Sequence, residues 1–81
     1  MTQIYTEYAT TDITLAAVLK ENGNTLDRIS IQGNKGIFYF VDVEQETLIN
    51  YDTGKLLVEP ISFHTAIKTL TTAVKRQNTQ R

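Results

Sequence analysis

Residues 26–43 carry the pattern that most restricts the fold. Residues 26–32 alternate, with Ile29 and Ile31 on one side and Arg28, Ser30 and Gln32 on the other. Gly33-Asn34-Lys35-Gly36 follows, a run rich in residues that tolerate positive φ. Residues 37–43 (IFYFVDV) then alternate again. This pattern specifies an antiparallel hairpin with one apolar face. If the turn pairs Gly33 with Gly36, Ile31 faces Phe38 and Ile29 faces Phe40 on the core side. The other side carries Arg28, Ser30, Tyr39 and Val41. It is less polar than a solvated sheet face requires, so it calls for a cover, either residues 1–9 or a partner.

A hairpin alone is marginal in water and needs helices packed on it. Thr11 is placed to cap a first helix, with Asp12 in its first turn. Ile13, Leu15, Ala16, Ala17 and Leu19 give that helix a wide apolar surface, and the two alanines allow close approach of another element. Lys20 lies near its end, and Asn22-Gly23-Asn24 suits a helix terminus. A second helix starts at Pro60, which also pushes Glu59 toward an extended conformation. Its apolar residues Phe63, Ala66, Ile67, Leu70, Ala73 and Val74 recur at helical spacing. Residues 77–81 (QNTQR) contain nothing apolar and are expected to fray. Residues 1–9, with Ile4, Tyr5 and Tyr8, suit an edge strand or an ordered arm. Residues 44–57 admit a short helix through Leu48, Ile49 and Tyr51, or a strand over 47–51 turning into 55–58; the helix is favoured.

The expected fold is therefore α+β in one small domain over 1–76, with a tail over 77–81. An antiparallel β-hairpin, joined by an N-terminal third strand, packs against two helices in the order (β)αββ(α)α. The expected core is Phe38, Phe40, Ile29, Ile31, Leu15, Leu19, Phe63, Ile67 and Leu70.

The residue inventory argues against catalysis. There is no cysteine, hence no disulfide and no thiolate metal site. The one histidine, His64, has Pro60 and Lys68 as its helical neighbours, and nothing local completes a triad. Asp42, Glu44 and Glu46 alternate, but the tight-turn glycine and further carboxylates of a cation loop are missing. Gly33-Asn34-Lys35-Gly36 has the wrong spacing for a phosphate-binding loop and leads into a strand. We expect no catalytic residue, no metal and no cofactor. No apolar run reaches the ~20 residues of a membrane span. The opening Met1-Thr2-Gln3-Ile4-Tyr5 lacks the regions of a signal peptide, so a cytoplasmic protein is expected.

Charge and aromatic content point instead to binding. All nine acids precede Pro60; residues 1–59 hold them against Lys20, Arg28, Lys35 and Lys55, a net of −5. Residues 60–81 hold Lys68, Lys75, Arg76 and Arg81 and no acid, a net of +4. Such polarity bears on partners, not on fold. His64, Lys68, Thr71 and Lys75 form one stripe of the last helix, with Arg76 adjoining, and bases and hydroxyls of this kind contact phosphates. Exposed tyrosines anchor protein interfaces. Tyr39, Val41, Tyr8 and Tyr5 are the candidate protein-binding residues, and the partner is another protein or a second copy of the chain.

The stretch Tyr8-Ala9-Thr10-Thr11-Asp12-Ile13-Thr14-Leu15-Ala16-Ala17-Val18-Leu19, followed by Gly23, resembles the opening of a family of short uncharacterised domains of bacterial and phage genomes. Its members are similar in a Thr-Ser/Thr-Asp, an apolar or aromatic residue, Leu-Ala-Ala and a glycine at the helix end. The likeness continues through Gly36-Ile37-Phe38-Tyr39-Phe40, Val58-Glu59-Pro60, Phe63 and Leu70, and spans Tyr8 to Arg76. It implies an α-β-β-α arrangement and a home on mobile elements. The family has no assigned activity, so no residue role is carried over. The expected function is a small non-catalytic binding protein, an accessory or host-directed factor of a phage or plasmid. The alternative is a nucleic-acid-associated protein using His64, Lys68, Lys75 and Arg76.

Overall fold

A computed structural model describes residues 3–79. Six elements follow one another: β1 (Ile4–Thr10), α1 (Ile13–Glu21), β2 (Thr25–Gln32), β3 (Lys35–Glu44), α2 (Gln45–Asp52) and α3 (Pro60–Thr79). The strands make one antiparallel sheet in the order β1-β3-β2. The α+β class and the element order are those expected, with the third strand present and residues 45–52 helical. Phe38, Phe40 and Val43 of β3 meet α1 and α3 in a single core, which Leu48 and Tyr51 of α2 also join. The helices thus cover one sheet face only.

The hairpin turn lies one residue earlier than expected. Gln32 pairs with Lys35, so the loop is Gly33-Asn34 alone. Gly33 has φ 64 and Asn34 does not share the positive sign, the pattern of a type II′ turn. Ile29 then faces Phe38, and Ile31 faces Gly36. The shift from the expected register is two residues, the period of a strand, so every side chain keeps its face. Gly36 becomes a strand residue. A Cβ there would sit 2.6 Å from Val74 Cγ2, so this glycine lets α3 lie close against the hairpin.

Strict alternation would put Asp27 and Asp42 on the core face. Neither is there. The pairing of β2 shifts between Leu26 and Arg28, which makes Asp27 a bulge and turns Leu26 toward Phe40. Asp42 takes φ 53, the Thr6–Asp42 pair is missing from the ladder, and Val43 is fully buried beyond it. The Asn24 side-chain amide donates to the Asp42 carbonyl at 3.3 Å.

Asp12, rather than Thr11, caps α1. One carboxylate oxygen accepts from the Thr14 and Leu15 N–H groups at 2.9 and 3.3 Å. The other accepts from the Tyr51 hydroxyl at 3.2 Å, which ties α2 to the start of α1. Desolvation, then this bond to Asp12, holds the Tyr51 pKa above its ordinary value. Both α1 and α2 end in a left-handed glycine, Gly23 (φ 94) and Gly54 (φ 71). In each, paired backbone bonds close the last turn: Gly23 to Lys20 and Asn24 to Leu19, Gly54 to Tyr51 and Lys55 to Asn50.

Leu15, Ala16, Ala17, Val18 and Leu19 are all buried, because α1 is wedged between the sheet and α3. α3 contributes Ala66 and Leu70 to the buried core, with Phe63, Ile67 and Val74 packed against it. The helix runs through Thr79, past the point where loss of apolar residues predicts fraying. The Gln77 side-chain amide donates to the Ile29 carbonyl and holds that turn on β2. The last two residues of the expected tail lie outside the described residues.

Two measurements of unfolding free energy check this packing. Asp12→Ala is expected to cost about 1–2 kcal/mol and Thr11→Ala close to none; equal losses would return the cap to Thr11. Gly36→Ala is expected to cost about 1–3 kcal/mol, because Val74 must move. Val74→Ala in the same chain should recover part of that loss, whereas strict additivity would show that the two positions do not meet.

Candidate protein-interaction surface

The outer sheet face is the first candidate. Ile37, Tyr39 and Val41 line it along β3 and are half-buried. Arg28 pairs beside Tyr39, and Ser30 beside Ile37. Residues 3–9 do not cover this face, since β1 extends the sheet as an edge strand; the first two residues of the expected cover lie outside the described residues. Arg28 covers it instead. Its guanidinium lies 3.9 Å from the Tyr39 ring centroid. It bonds Glu7 Oε2 at 2.8 Å and Asp27 Oδ2 at 2.7 Å. These bonds, Glu7 first, raise the Arg28 pKa further above its ordinary value. Arg28 therefore reaches over β3 from one edge strand to the other, and the exposed ends of Glu7 and Asp27 make the rim acidic.

The structure does not gather the four expected protein-binding residues. Tyr39 and Val41 share the outer face. Tyr8 pairs with Phe40 and packs against the core on the opposite face. Tyr5 pairs with Val43, and its ring tilts 50° to that of Tyr8 with centroids 5.9 Å apart. The reason lies in β1, whose ladder is interrupted between Tyr5 and Glu7 opposite Asp42, so that Tyr5 follows Tyr8 rather than Glu7.

The bases of α3 lie along one side of it, because Pro60–Thr79 is one continuous helix and His64, Lys68, Thr71 and Lys75 recur at spacings of four, three and four. His64, Lys68 and Lys75 are exposed, and Lys68 shares a solvent-facing surface with Thr65, Thr69, Thr72 and Arg76. At the far end of the stripe Lys75 joins Lys35 at an open cleft of about 390 Å³, whose apolar side is formed by Ile13, Phe38 and Val74. Asp42, Glu44 and Glu46 fall at the end of β3 and the start of α2. Among the described residues, no three acidic or histidine side chains gather to hold a metal ion.

The most exposed of the large apolar side chains described, Leu57 and Ile61, were not among the expected site residues. Leu57 is 96% exposed, Ile61 76% and Val58 37%. Leu57 and Val58 lie on the connector between α2 and α3, and Ile61 on the first turn of α3. Both ends of the connector are fixed. Gly54 closes α2 at one end. At the other, the Glu59 carboxylate accepts from the Ile61 and Ser62 N–H groups, each at 2.9 Å, and from the Ser62 hydroxyl at 3.0 Å. Leu56 is half-buried, and with Leu57, Val58, Val18, Glu21, Asn22 and Glu59 it lines a small hollow of about 130 Å³. Single exposed apolar residues are ordinary, and three within residues 57–61, on a connector fixed at both ends, make this segment a candidate contact surface.

A sequence signal for this group did exist. Leu56-Leu57-Val58 is an apolar run bounded by Gly54 and Pro60, with neither helical nor strand partners nearby. The strand alternative for residues 55–58 hid it. Compared with protein-family models, curated proteins and solved structures, the chain matches none.

The Glu59 cap sets a pH dependence. Hydrogen bonds from Ile61 and then Ser62 hold its pKa below the ordinary glutamate value. A depressed folded pKa gives stability that is present above the unfolded pKa and lost as pH falls through the folded one. Thermal unfolding measured from about pH 5 downward should fall less steeply for Glu59→Gln than for the parent chain. Parallel curves would show that Glu59 does not hold the start of α3.

Proposed function

We propose that this chain is a small non-catalytic interaction protein that docks another protein through Leu57, Val58 and Ile61. The supporting observation is the near-complete exposure of Leu57 on a connector fixed at both ends. Burying a leucine side chain is worth roughly 1.5–3 kcal/mol, which a docked partner would recover. Glu21 and Glu59 beside the hollow favour a partner whose apolar anchor carries basic neighbours. The resemblance to short domains of bacterial and phage genomes supports an accessory or host-directed role on a phage or plasmid, and a host protein as the partner. The alternative, contact with nucleic-acid phosphates through the exposed stripe of His64, Lys68 and Lys75 with Arg76 adjoining, rests on a thin electrostatic footprint.

The test compares the parent chain with a Leu57→Asp, Ile61→Asp variant, using affinity capture from host extract followed by calorimetry on the captured protein. Both substituted positions are exposed, so the variant should melt as the parent does. Its affinity is expected to fall at least about tenfold, and parent binding should change little with salt. Binding that collapses steeply with salt, and that needs Lys68, Lys75 and Arg76, would support the nucleic-acid reading instead.

A further inference from the structure

The two edges of the sheet are built differently. The β2 edge is obstructed by the Asp27 bulge, and the Gln77 side chain occupies the Ile29 carbonyl. These are the devices that keep a strand edge from recruiting another strand. The β1 edge has neither; its one irregularity is the interrupted ladder at Thr6, opposite Asp42. The seven residues Ile4–Thr10 include no proline, lysine or arginine. Among the described residues, no hydrogen bond from another element reaches their backbone on the side away from β3. Ile4 is 56% exposed on this strand.

The one charge on β1 is already neutralised. Glu7 bonds Arg28 at 2.8 Å, and Arg28 approaches across β3, so the carboxylate is drawn back over its own sheet. This matters for one occupant in particular. A second copy of β1, running antiparallel about a two-fold axis at Glu7, overlaps all seven residues and sets Ile4 opposite Thr10 and Tyr5 opposite Ala9. Such an interface is isologous and closes on itself. It also places two Glu7 side chains near the axis, where like charges are unfavourable unless each is held elsewhere. Arg28 holds each one.

We propose that two copies of this chain pair through β1 into a continuous six-stranded antiparallel sheet, ordered β2-β3-β1-β1-β3-β2, with Arg28 keeping the Glu7 charges off the axis. The dimer leaves no open β1 edge and ends in the two obstructed β2 edges. Pairing of seven residues is a small interface, so dissociation is expected at micromolar concentration rather than nanomolar.

Sedimentation equilibrium of the full chain tests this. The parent should show a monomer–dimer equilibrium, and Ile4→Lys with Thr6→Lys should weaken it at least about tenfold without changing the melting temperature. Arg28→Ala should also weaken it, and adding Glu7→Gln should restore it, a rescue that a merely structural role for Arg28 would not give. Leu57→Asp should leave the dimer intact, which separates this inference from the docking surface. A parent chain that stays monomeric above about 100 μM would overturn the proposal. So would a dimer that tolerates the two lysines, or one that Leu57→Asp abolishes.

Discussion

An ionised carboxylate cannot be left unpaired in an apolar core, and that constraint shapes this sheet. Even after relaxation the penalty is several kcal/mol. Regular pleating would impose it at Asp27 and again at Asp42. A left-handed backbone at an aspartate costs about 1–3 kcal/mol, and a bulge costs a ladder bond or two. The smaller costs win. Asp27 is extruded by a bulge and Asp42 by its positive φ. Each irregularity brings the next apolar residue inward, Leu26 in one strand and Val43 in the other. The core cluster around Phe38 and Phe40 depends on both exchanges.

Asn24 links these strand irregularities to the helix layer. It is the residue whose N–H closes α1 on the Leu19 carbonyl, and its side chain reaches the Asp42 carbonyl. The end of α1 and the switch in β3 therefore reinforce one another. The same closing geometry recurs at Gly54, where it stops α2 and launches the connector. With Glu59 capping α3 immediately afterward, only seven residues, 53–59, join the two helices. Leu56 is half-buried beside Val18, whereas Leu57 is left exposed on a span fixed at both ends.

What was legible in the sequence was set by short-range signals. The strand alternation, the Gly-rich turn, the helical spacing of α3 and the glycine ending α1 each act over a few residues. They gave the element order and the faces of Phe38, Phe40, Ile29 and Arg28 correctly. The register was off by two because Gly36 looks like a turn glycine, while its actual role depends on Val74 some forty residues later. Asp12 and Thr11 are both good caps by type, and only the position of Tyr51 adds a second role to Asp12. Arg28 reads as a plain solvated residue, since its stacking on Tyr39 and its bond to Glu7 exist only once three strands are assembled. The surface proposed for docking was visible as composition but not as exposure, which depends on what α1 covers.

The charge polarity of the chain is partly kept in the fold. Separated along the sequence, the acids and bases suggest one acidic and one basic surface. In the fold, α3 lies against α1 and β2 through Ala66, Leu70 and Val74, and its opposite side carries His64, Lys68 and Lys75 in one stripe. Lys75 ends that stripe at the hairpin cleft beside Lys35, and Arg76 lies with Lys68 on the neighbouring surface. Three or four bases make a thin footprint for a phosphate backbone, which dedicated domains track with many more. On the sheet, the single base among the outer residues of β2 is engaged by two carboxylates. Arg28 is thereby engaged within the face, in half-exposed pairs that each contribute little to stability. The recognition surfaces proposed for this chain, at Leu57 and along β1, are made of apolar side chains and strand backbone.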